Sequence, residues 1–435
     1  MIRVAVATCL ALAAALPLRA EVDIIEVETP GGINAWLVEE PSIPFVALEV
    51  MFRGGTSLDD PEKRGAIHLM AALLEEGAGD MNAQAFARAR EDLAAGISFS
   101  VYDDGLDVSA RFLTETMDDV TELLRTAINE PRFDDDAIER VRAQVLSGLR
   151  SDLESPNTIA GQAMSAALFG DHIYGSSGDG TIESVTALTR DDLVDAHGRV
   201  FARDKIYAAA VGDITEDQLA ALLDAILGDL PETSVPLTAP VEMSFWGDVQ
   251  VIDYPTPQAV IRFAQPGIAR DDPDFFAAFV MSQVLGAGGF ESRLHNEIRE
   301  KRGLTYGVGA YLQAKDQADF MVGGLATANS TVNESISLIR AEWEKMRDAG
   351  VTQAELDRAK TYLTGGYPLR FSSNARIANI LVGMQLDGLT PDYIVTRNDQ
   401  VNAVTLEDVA RVSAELMDPD ALSFIVVGQS AELAN

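Results

Sequence analysis

The sequence contains little cysteine, little histidine and few basic residues for its length. One cysteine, Cys9, and four histidines occur among 435 residues. A disulfide framework needs paired cysteines and a thiolate metal site needs several, so both are excluded. Lys and Arg number 33 against 68 Asp and Glu, which gives a formal net charge of −35. This acidic balance argues against nucleic acid or an anionic membrane as a partner, because both are also negatively charged.

Long apolar runs are absent beyond the opening segment, MIRVAVATCLALAAALPLRA. A basic start at Arg3, an apolar stretch and small final residues are typical of a secretory signal peptide, here cleaved after Ala20. Lipid attachment at Cys9, inside this segment, is the disfavoured alternative. Cleavage would remove Arg3, Arg19 and no acid, changing the net charge from −35 to −37. We therefore expect an exported, periplasmic protein that has no cysteine and is not inserted in the membrane.

Two stretches of sequence recur at one offset of 216 residues (185 to 401, and 212 to 428). VTALTRDDL begins at Val185, and VNAVTLEDV begins at Val401. YAAAVGDI places Gly212 where SFIVVGQS has Gly428. Two separate matches at the same offset indicate an internal duplication of a domain of about 200 residues.

Between the two copies lies a proline-rich stretch, GDLPETSVPLTAPVEMSFWGD. Proline at this density disfavours helix and produces a semi-rigid extended connector. The sequence therefore predicts a signal peptide at 1–20, an N-terminal domain at 21–230, a linker at 231–247 and a C-terminal domain at 248–435.

Hydrophobic periodicity predicts the same kind of secondary structure in both halves. Strands are predicted at 33–40, 45–52, 97–104, 106–113, 206–211, 249–253, 259–264, 304–312 and 320–326. Helices are predicted at 65–76, 83–94, 114–129, 134–153, 275–285 and 291–300. Groups of strands that alternate with groups of helices indicate an α+β fold, in which each half packs a largely antiparallel sheet against a layer of helices.

The helix predicted at 65–76 contains His68, which raises the question of a metal site. In a helical His-x-x-Glu-His motif the two imidazoles bind zinc from one face, and the glutamate activates a bound water. From His68 this sequence reads HLMAA, so Ala71 and Ala72 stand where the glutamate and the second histidine would be. A catalytic zinc site needs three protein ligands and an open position, so one imidazole does not form one.

These features together resemble the pitrilysin/insulinase metallopeptidases, which include the mitochondrial processing peptidases. The resemblance rests on RGAIHL around His68, FGDHIYG at 169–175 and LGAGGFESRLHNEIREKRGLTYGVGAY from Leu285, and it covers nearly all of the mature chain. It implies two duplicated domains that form half of a clamshell. The third zinc ligand of the family is a glutamate that would fall on Gly148, 76 residues beyond Ala72. His68, Ala71, Ala72 and Gly148 are thus degenerate zinc-motif positions, and the resemblance implies that this chain binds no metal.

The same resemblance assigns a role to two residues of the C-terminal segment. In the family an arginine and a tyrosine seven residues apart act on substrate bound at the zinc of the other half, and Arg299 and Tyr306 have this spacing. A guanidinium offers fixed donors to a substrate carbonyl, and a phenol donates to a developing oxyanion. The alternative is a surface arginine at a charged helix end and a tyrosine packed on a sheet. We expect Arg293 to pair with an acid and His295 to face solvent.

The resemblance also implies that some bacterial members are divided into two chains, one with the zinc motif and one with the Arg/Tyr pair. We therefore predict a zinc-free subunit of an exported heteromeric zinc metallopeptidase that cleaves peptides. Metalloendopeptidase activity is expected only with a partner that contains His-x-x-Glu-His and supplies the zinc, in a heterodimer or homodimer. The alternative is a non-catalytic peptide-binding or scaffold protein of the cell envelope.

Overall fold

A computed structural model of the protein describes residues 23–429, so the predicted signal peptide lies outside the described residues. Most of its strands form two large sheets. The strands are β1 (Ile25–Glu28), β2 (Asn34–Glu39), β3 (Phe45–Arg53), β4 (Gly77–Ala78), β5 (Met81–Asn82), β6 (Gly96–Tyr102), β7 (Gly105–Leu113), β8 (Ile206–Gly212), β9 (Val249–Asp253), β10 (Gln258–Pro266), β11 (Val308–Lys315), β12 (Ala318–Ala328) and β13 (Ser423–Gly428).

The helices lie in several groups between these strands. They are α1 (Ala66–Leu73), α2 (Ala83–Asp92), α3 (Met117–Asn129), α4 (Asp135–Asp152), α5 (Pro156–Phe169), α6 (Ile182–Ala187), α7 (Arg190–Val200), α8 (Glu216–Leu227), α9 (Phe275–Ser282), α10 (Val332–Ala349), α11 (Gln353–Gly366), α12 (Asn374–Leu386), α13 (Tyr393–Ala403) and α14 (Leu406–Leu416). None of the helices within 23–429 is long and apolar enough to cross a membrane.

The two sheets have the same topology. Their strand orders are β1-β2-β8-β3-β7-β6 and β9-β13-β10-β12-β11. In each sheet one pair is parallel, β2 with β8 and β13 with β9, and the other neighbours are antiparallel. Apart from β1, every strand of the first sheet has a counterpart in the second. The predicted α+β fold with two duplicated halves is confirmed.

The recurring sequence stretches occupy equivalent places in the two halves. Thr189 and Asp192 form a capping box at the start of α7, and Thr405 and Asp408 form the same box at the start of α14. In each box the side chain of one residue bonds the backbone N–H of the other, which satisfies donors that a helix start leaves unpaired. The second recurring stretch forms β8 and β13. The repeated sequence stretches therefore correspond to repeated local structure.

Each sheet carries a helix layer on one face. In β3, Leu48 and Phe52 face a core formed with α1, α3, α7 and α8. In the second half, Phe263 on β10 and Trp343 on α10 pack edge to face, with ring centroids 5.6 Å apart. Alternation along the strands then points the intervening residues to the opposite, outer face of each sheet.

The outer face of each sheet is covered by a helix from the other half. Met164 of α5 belongs to an apolar cluster with Val427 of β13. Reciprocally, Leu381 of α12 belongs to a cluster with Trp36 of β2, and the Gln385 side chain donates a 2.9 Å hydrogen bond to the carbonyl of Ala208. Since burial of apolar surface is the main favourable term in folding, this exchange of α5 and α12 joins the two halves.

The segment 231–248, which follows α8 and contains the predicted linker, has neither helix nor strand. Further polar contacts between the halves lie at the turn between β11 and β12. There Asp316 pairs with Arg53 at 2.5 Å, Lys315 pairs with Asp103, and the backbone N–H of Asp316 donates to Asp104 at 3.2 Å.

Three predicted elements in the second half differ from the structure, and one of them, the helix predicted at 291–300, begins after Ser292 and is π-helical over His295–Glu300. The predicted helix 275–285 is α-helical only over Phe275–Ser282 and continues as a π-helical turn, Gln283–Ala287. The strand predicted at 304–312 begins at Val308, because the preceding residues return along the end of the helical segment, where the N–H of Leu304 donates to the carbonyl of Ile298 at 3.0 Å.

Candidate functional site

The degenerate zinc motif lies on α1, whose start is fixed by buried charges. The carboxylate of Asp59 accepts from the backbone N–H groups of Gly65 and Ile67, each at 2.9 Å, and pairs with Arg64 at 3.1 Å. Arg64 also donates to carbonyls in the 173–176 turn. Gly65 has φ of +94°, and a Cβ there would lie 2.8 Å from the carbonyl of Asp179. The close approach needs glycine, and it brings 179–180 against α1.

His68 uses this neighbouring segment as its partner. Its Nδ1 lies 2.8 Å from the carboxylate of Asp179, and both side chains are partly exposed. The hydrogen bond from His68 is the largest influence on the pKa of Asp179 and lowers it. The imidazole therefore pairs with one acid and is not part of a set of metal ligands. Its contacts include neither Arg299 nor Tyr306.

The other motif positions offer no donor atoms on their side chains. Ala71 is buried, Ala72 is exposed, and Gly148 is an exposed glycine of α4 with open space where its side chain would be. Glu75 and Glu76, the nearest carboxylates along the chain, pair with Arg90 and Arg140. No group of three His, Cys, Asp or Glu residues within 23–429 could hold a metal ion. The residues at the motif therefore do not fit a zinc ion.

The segment that contains Arg299 is a short helix of unusual form. It begins after Ser292 and is π-helical over His295–Glu300, a conformation that is rare and often occurs at functional sites. Arg293 fastens its start to α11, since its guanidinium bonds both carboxylate oxygens of Glu355 at 2.7 and 2.8 Å. Burial favours the neutral acid, but the bonds from Arg293 and Thr352 outweigh it and lower the pKa of Glu355 to about 2. The expected pairing of Arg293 with an acid is confirmed.

Arg299 is held by two aromatic neighbours. Its Nη1 lies 2.8 Å from Nε2 of His295, and its Cζ lies 4.9 Å from the ring centroid of Phe290. The His295 and Phe290 rings meet edge to face, with centroids 4.7 Å apart. The prediction that His295 faces solvent is wrong, because its residue is only 5% exposed. Its Nδ1 is buried and has no hydrogen bond to any residue in the part of the chain that the structure describes.

Tyr306 has the opposite environment. Its residue is 88% exposed, and it makes no hydrogen bond to any residue within 23–429. The loop that joins it to Arg299 is ordered by the N–H of Gly303, which donates to the carbonyl of Arg299 at 2.8 Å. The tyrosine is not packed on a sheet, as the structural alternative required. The structure thus presents a partly exposed guanidinium and a free phenol at the two ends of one short loop.

Sequence reasoning missed two residues at these places. His295 precedes Arg299 by four residues, a spacing that brings side chains together on a helix. This contact could therefore have been predicted from the sequence. Asp179, the partner of His68, is distant in sequence and depends on the close packing at Gly65, which no local pattern reveals.

Comparison with known proteins agrees with the fold. A family model described as "Insulinase (Peptidase family M16)" matches residues 35–178, and one described as "Peptidase M16 inactive domain" matches residues 187–363. Between them the two models span most of the chain. The chain therefore belongs to the insulinase family of peptidases, family M16, and lacks the zinc-binding motif of that family.

Individual relatives extend over almost the whole length. A "non-peptidase homolog YmxG" of Helicobacter pylori is 29% identical over 390 residues, covering 89% of this chain and 90% of the relative. An "uncharacterized zinc protease" of Streptomyces coelicolor is 23% identical and covers 89% and 86%. The crystal structure of a peptidase M16 inactive domain from Pseudomonas fluorescens superposes with a TM-score of 0.87 at 28% identity, covering 93% of this chain and 98% of that one.

Proposed function

We propose that this chain is the zinc-free subunit of an exported, heteromeric zinc metallopeptidase that cleaves peptides. In this proposal Arg299 and Tyr306 contact substrate at the zinc site of a partner that carries His-x-x-Glu-His. Export is inferred from the character of residues 1–20. The chain would have no peptidase activity by itself, as the descriptions of its H. pylori and P. fluorescens relatives suggest.

One observation carries the proposal: of the zinc-motif positions only His68 has a ligand side chain, and it pairs with Asp179, while the Arg/Tyr pair remains available. An 88% exposed tyrosine without a hydrogen bond is a poor structural residue, since exposed aromatic surface contributes little to folding. Arg299, by contrast, is oriented by His295 and Phe290. An oriented donor next to a free donor is suited to bind groups that come from another molecule.

The chemistry assigned to this pair needs no metal on this chain. The guanidinium of Arg299 donates to a peptide carbonyl and fixes the position of the substrate backbone. The phenol of Tyr306 donates to the oxygen on which negative charge develops during cleavage. A zinc ion bound in the partner would polarise the scissile carbonyl and activate water.

The test is peptidase activity of three samples: this chain, the zinc-motif relative from the same source, and their mixture, with zinc measured on each chain. We expect turnover only or mainly in the mixture, and zinc only in the relative. Full activity of the relative alone, unchanged by this chain, would contradict the shared site. Stoichiometric zinc on this chain would contradict its assignment as the zinc-free subunit.

A second function is favoured by the contact of His68. Because Asp179 occupies its imidazole, and because an H. pylori relative is described as a non-peptidase homolog, the chain could act as a peptide-binding or scaffold protein of the cell envelope without any catalytic role. A stable complex with the zinc-motif relative that shows no gain in turnover would support this function.

A further inference from the structure

A pocket of about 320 Å³ lies away from both sites described so far, among α9, the 3₁₀ turn Tyr367–Phe371, α12 and α13. Its walls are aromatic and aliphatic side chains, with Phe275, Phe276 and Phe279 on one side and Ile380 and Met384 on another. The volume is at the small end of the range for ligand pockets, about 300–1,000 Å³. We call it the arginine–aromatic pocket, because three arginines complete its lining: Arg270, Arg370 and Arg397.

The charge of this pocket is opposite to that of the protein. Asp387 is the single acid among its lining residues, against three guanidiniums. It lies 3.6 Å from Arg270, so Arg370 and Arg397 have no carboxylate partner within 23–429. A local positive charge in a chain of net charge −35 is a specific feature and does not follow from composition.

Arg397 is the strongest indication of a missing partner. It is 4% exposed, and its Nη1 donates only to neutral oxygens, the carbonyl of Leu363 at 2.8 Å and the side-chain oxygen of Asn398 at 3.0 Å. Its guanidinium lies 4.5 Å from the ring centroid of Tyr367 and 5.7 Å from that of Phe279, and it also interacts with the Tyr393 side chain. None of these neighbours is a carboxylate. Burial of a charge without a counter-ion is unfavourable, and a bound anion would relieve that cost.

Tyr367 provides an independent indication. The residue is 7% exposed, and its hydroxyl is buried without a hydrogen-bond partner among residues 23–429. Buried hydroxyls are usually bonded, so an unpaired one that lines a pocket calls for an acceptor from outside the chain. The ring itself packs edge to face against Phe371, with centroids 5.2 Å apart, which leaves the hydroxyl as its one unsatisfied group.

We propose that the arginine–aromatic pocket binds a small carboxylate that carries an aromatic or aliphatic body. The carboxylate accepts from the guanidiniums and from the hydroxyl of Tyr367, and the body contacts Phe275, Phe279 and Met384. Such a group could be a free organic acid or the C-terminal residue of a peptide, since both present the same chemistry. The pocket shares no residue with the Arg299 and Tyr306 loop, so the inference does not depend on the peptidase proposal.

Calorimetric titration of the purified chain tests this inference with matched probes. N-acetyl-L-phenylalanine and 3-phenylpropionate carry the carboxylate, and N-acetyl-L-phenylalanine amide is the neutral control. We expect the acids to bind at least about tenfold more tightly than the amide, the effect of losing charge-assisted hydrogen bonds. A tetrapeptide ending in phenylalanine, with a free or an amidated C-terminus, distinguishes the two sources: tighter binding of the free tetrapeptide than of 3-phenylpropionate would indicate a peptide terminus, and equal binding a small acid.

Two variants separate binding from a structural role. Arg370→Gln alters an exposed residue and should weaken acid binding about tenfold, whereas Arg376→Gln, an exposed arginine of α12 outside the pocket, should not. Tyr367→Phe keeps the ring and removes the unpaired hydroxyl, so it should weaken binding several-fold without lowering Tm. Equal binding of acid and amide, no binding of any acid at millimolar concentration, or equal effects of the two arginine variants would overturn the proposal.

Discussion

Arg299 donates a hydrogen bond to His295, its neighbour four residues earlier, over a distance of 2.8 Å. A guanidinium has donors only, so Nε2 of the imidazole must accept and the ring proton must lie on Nδ1. That proton is buried without a partner, and the nearest carboxylate, on Glu300, is 3.9 Å away. The π-helical turn brings this pair together. His295 is therefore a positioning residue for Arg299.

Replacement of the Arg/Tyr pair should reduce activity without unfolding the protein. We expect Arg299→Ala or Tyr306→Phe to lower kcat/KM of the mixed complex by roughly 10- to 1000-fold, the range for loss of a carbonyl or oxyanion donor. Tm should hardly change, because Tyr306 is exposed and Arg299 is partly so. Tyr311→Phe, another exposed tyrosine on the following strand, is the control and should leave turnover intact. Unchanged turnover in both variants would show that Arg299 and Tyr306 are surface residues without a role in cleavage.

The positioning role of His295 can be tested with two substitutions that differ in hydrogen bonding. His295→Leu removes the acceptor and should lower kcat/KM of the mixture by about tenfold, since misplaced groups are inefficient. His295→Gln retains an acceptor oxygen and should recover part of that loss. Steady-state kinetics and Tm are measured on both. Equal kinetics in the two variants would show that the imidazole only fills space.

His68 is expected to contribute neither metal binding nor catalysis. His68→Ala should leave turnover of the mixed complex nearly unchanged, because no second or third metal ligand accompanies His68 at the motif positions. Loss of the hydrogen bond should raise the pKa of Asp179, which His68 lowers in the folded chain. The stability from that lowered pKa is present above the unfolded value, near 3.9, and disappears as pH falls. A large loss of turnover at unchanged Tm would assign His68 a functional role.

Glu49 should make the protein less stable as pH rises. It is 8% exposed on β3, and burial raises its pKa from 4.5 to about 7. The hydrogen bond from the hydroxyl of Ser109 opposes this rise, and the smaller electrostatic effects of Asp107 and Arg111 raise and lower the pKa respectively. Between pH 4.5 and pH 7 the folded state binds a proton on Glu49 that the unfolded state has released. The contribution of Glu49 to stability is therefore fully present below about pH 4.5 and is lost as pH rises through about 7. The effect amounts to roughly 3 kcal/mol.

Glu49→Gln isolates this effect, because the amide oxygen can still accept from Ser109 and does not titrate. Urea unfolding of both proteins at pH 5 and pH 8 gives their free energies of unfolding. The free energy of the variant relative to that of the wild type should be larger at pH 8 than at pH 5. Asp107, whose pKa burial raises to about 6, is present in both proteins, so its own titration largely cancels. A constant difference between the proteins at the two pH values would contradict the assignment.

Periodicity and duplication were sufficient to predict the fold because periodicity is a local property of the chain and the duplication is visible when the sequence is compared with itself. The capping boxes at Thr189 and Thr405 illustrate this, since each is complete within four residues. The exchange of α5 and α12 was not predictable, because an apolar helix does not specify which sheet it covers. The burial of His295 was missed for a similar reason: the π-helical turn shifts side chains relative to the α-helical pattern that periodicity assumes.

The position of α5 and α12 has a consequence for the origin of the chain. Two identical subunits that lend each other one helix form a domain-swapped dimer, and joining such subunits end to end through a connector produces the arrangement seen here. The packing of α5 and α12 on the sheets, rather than the covalent continuity of the connector, would then hold the two halves together. Cleavage within 231–248 should leave a complex that elutes at its original size, whereas either half expressed alone would expose the apolar outer face of its sheet and associate with other molecules.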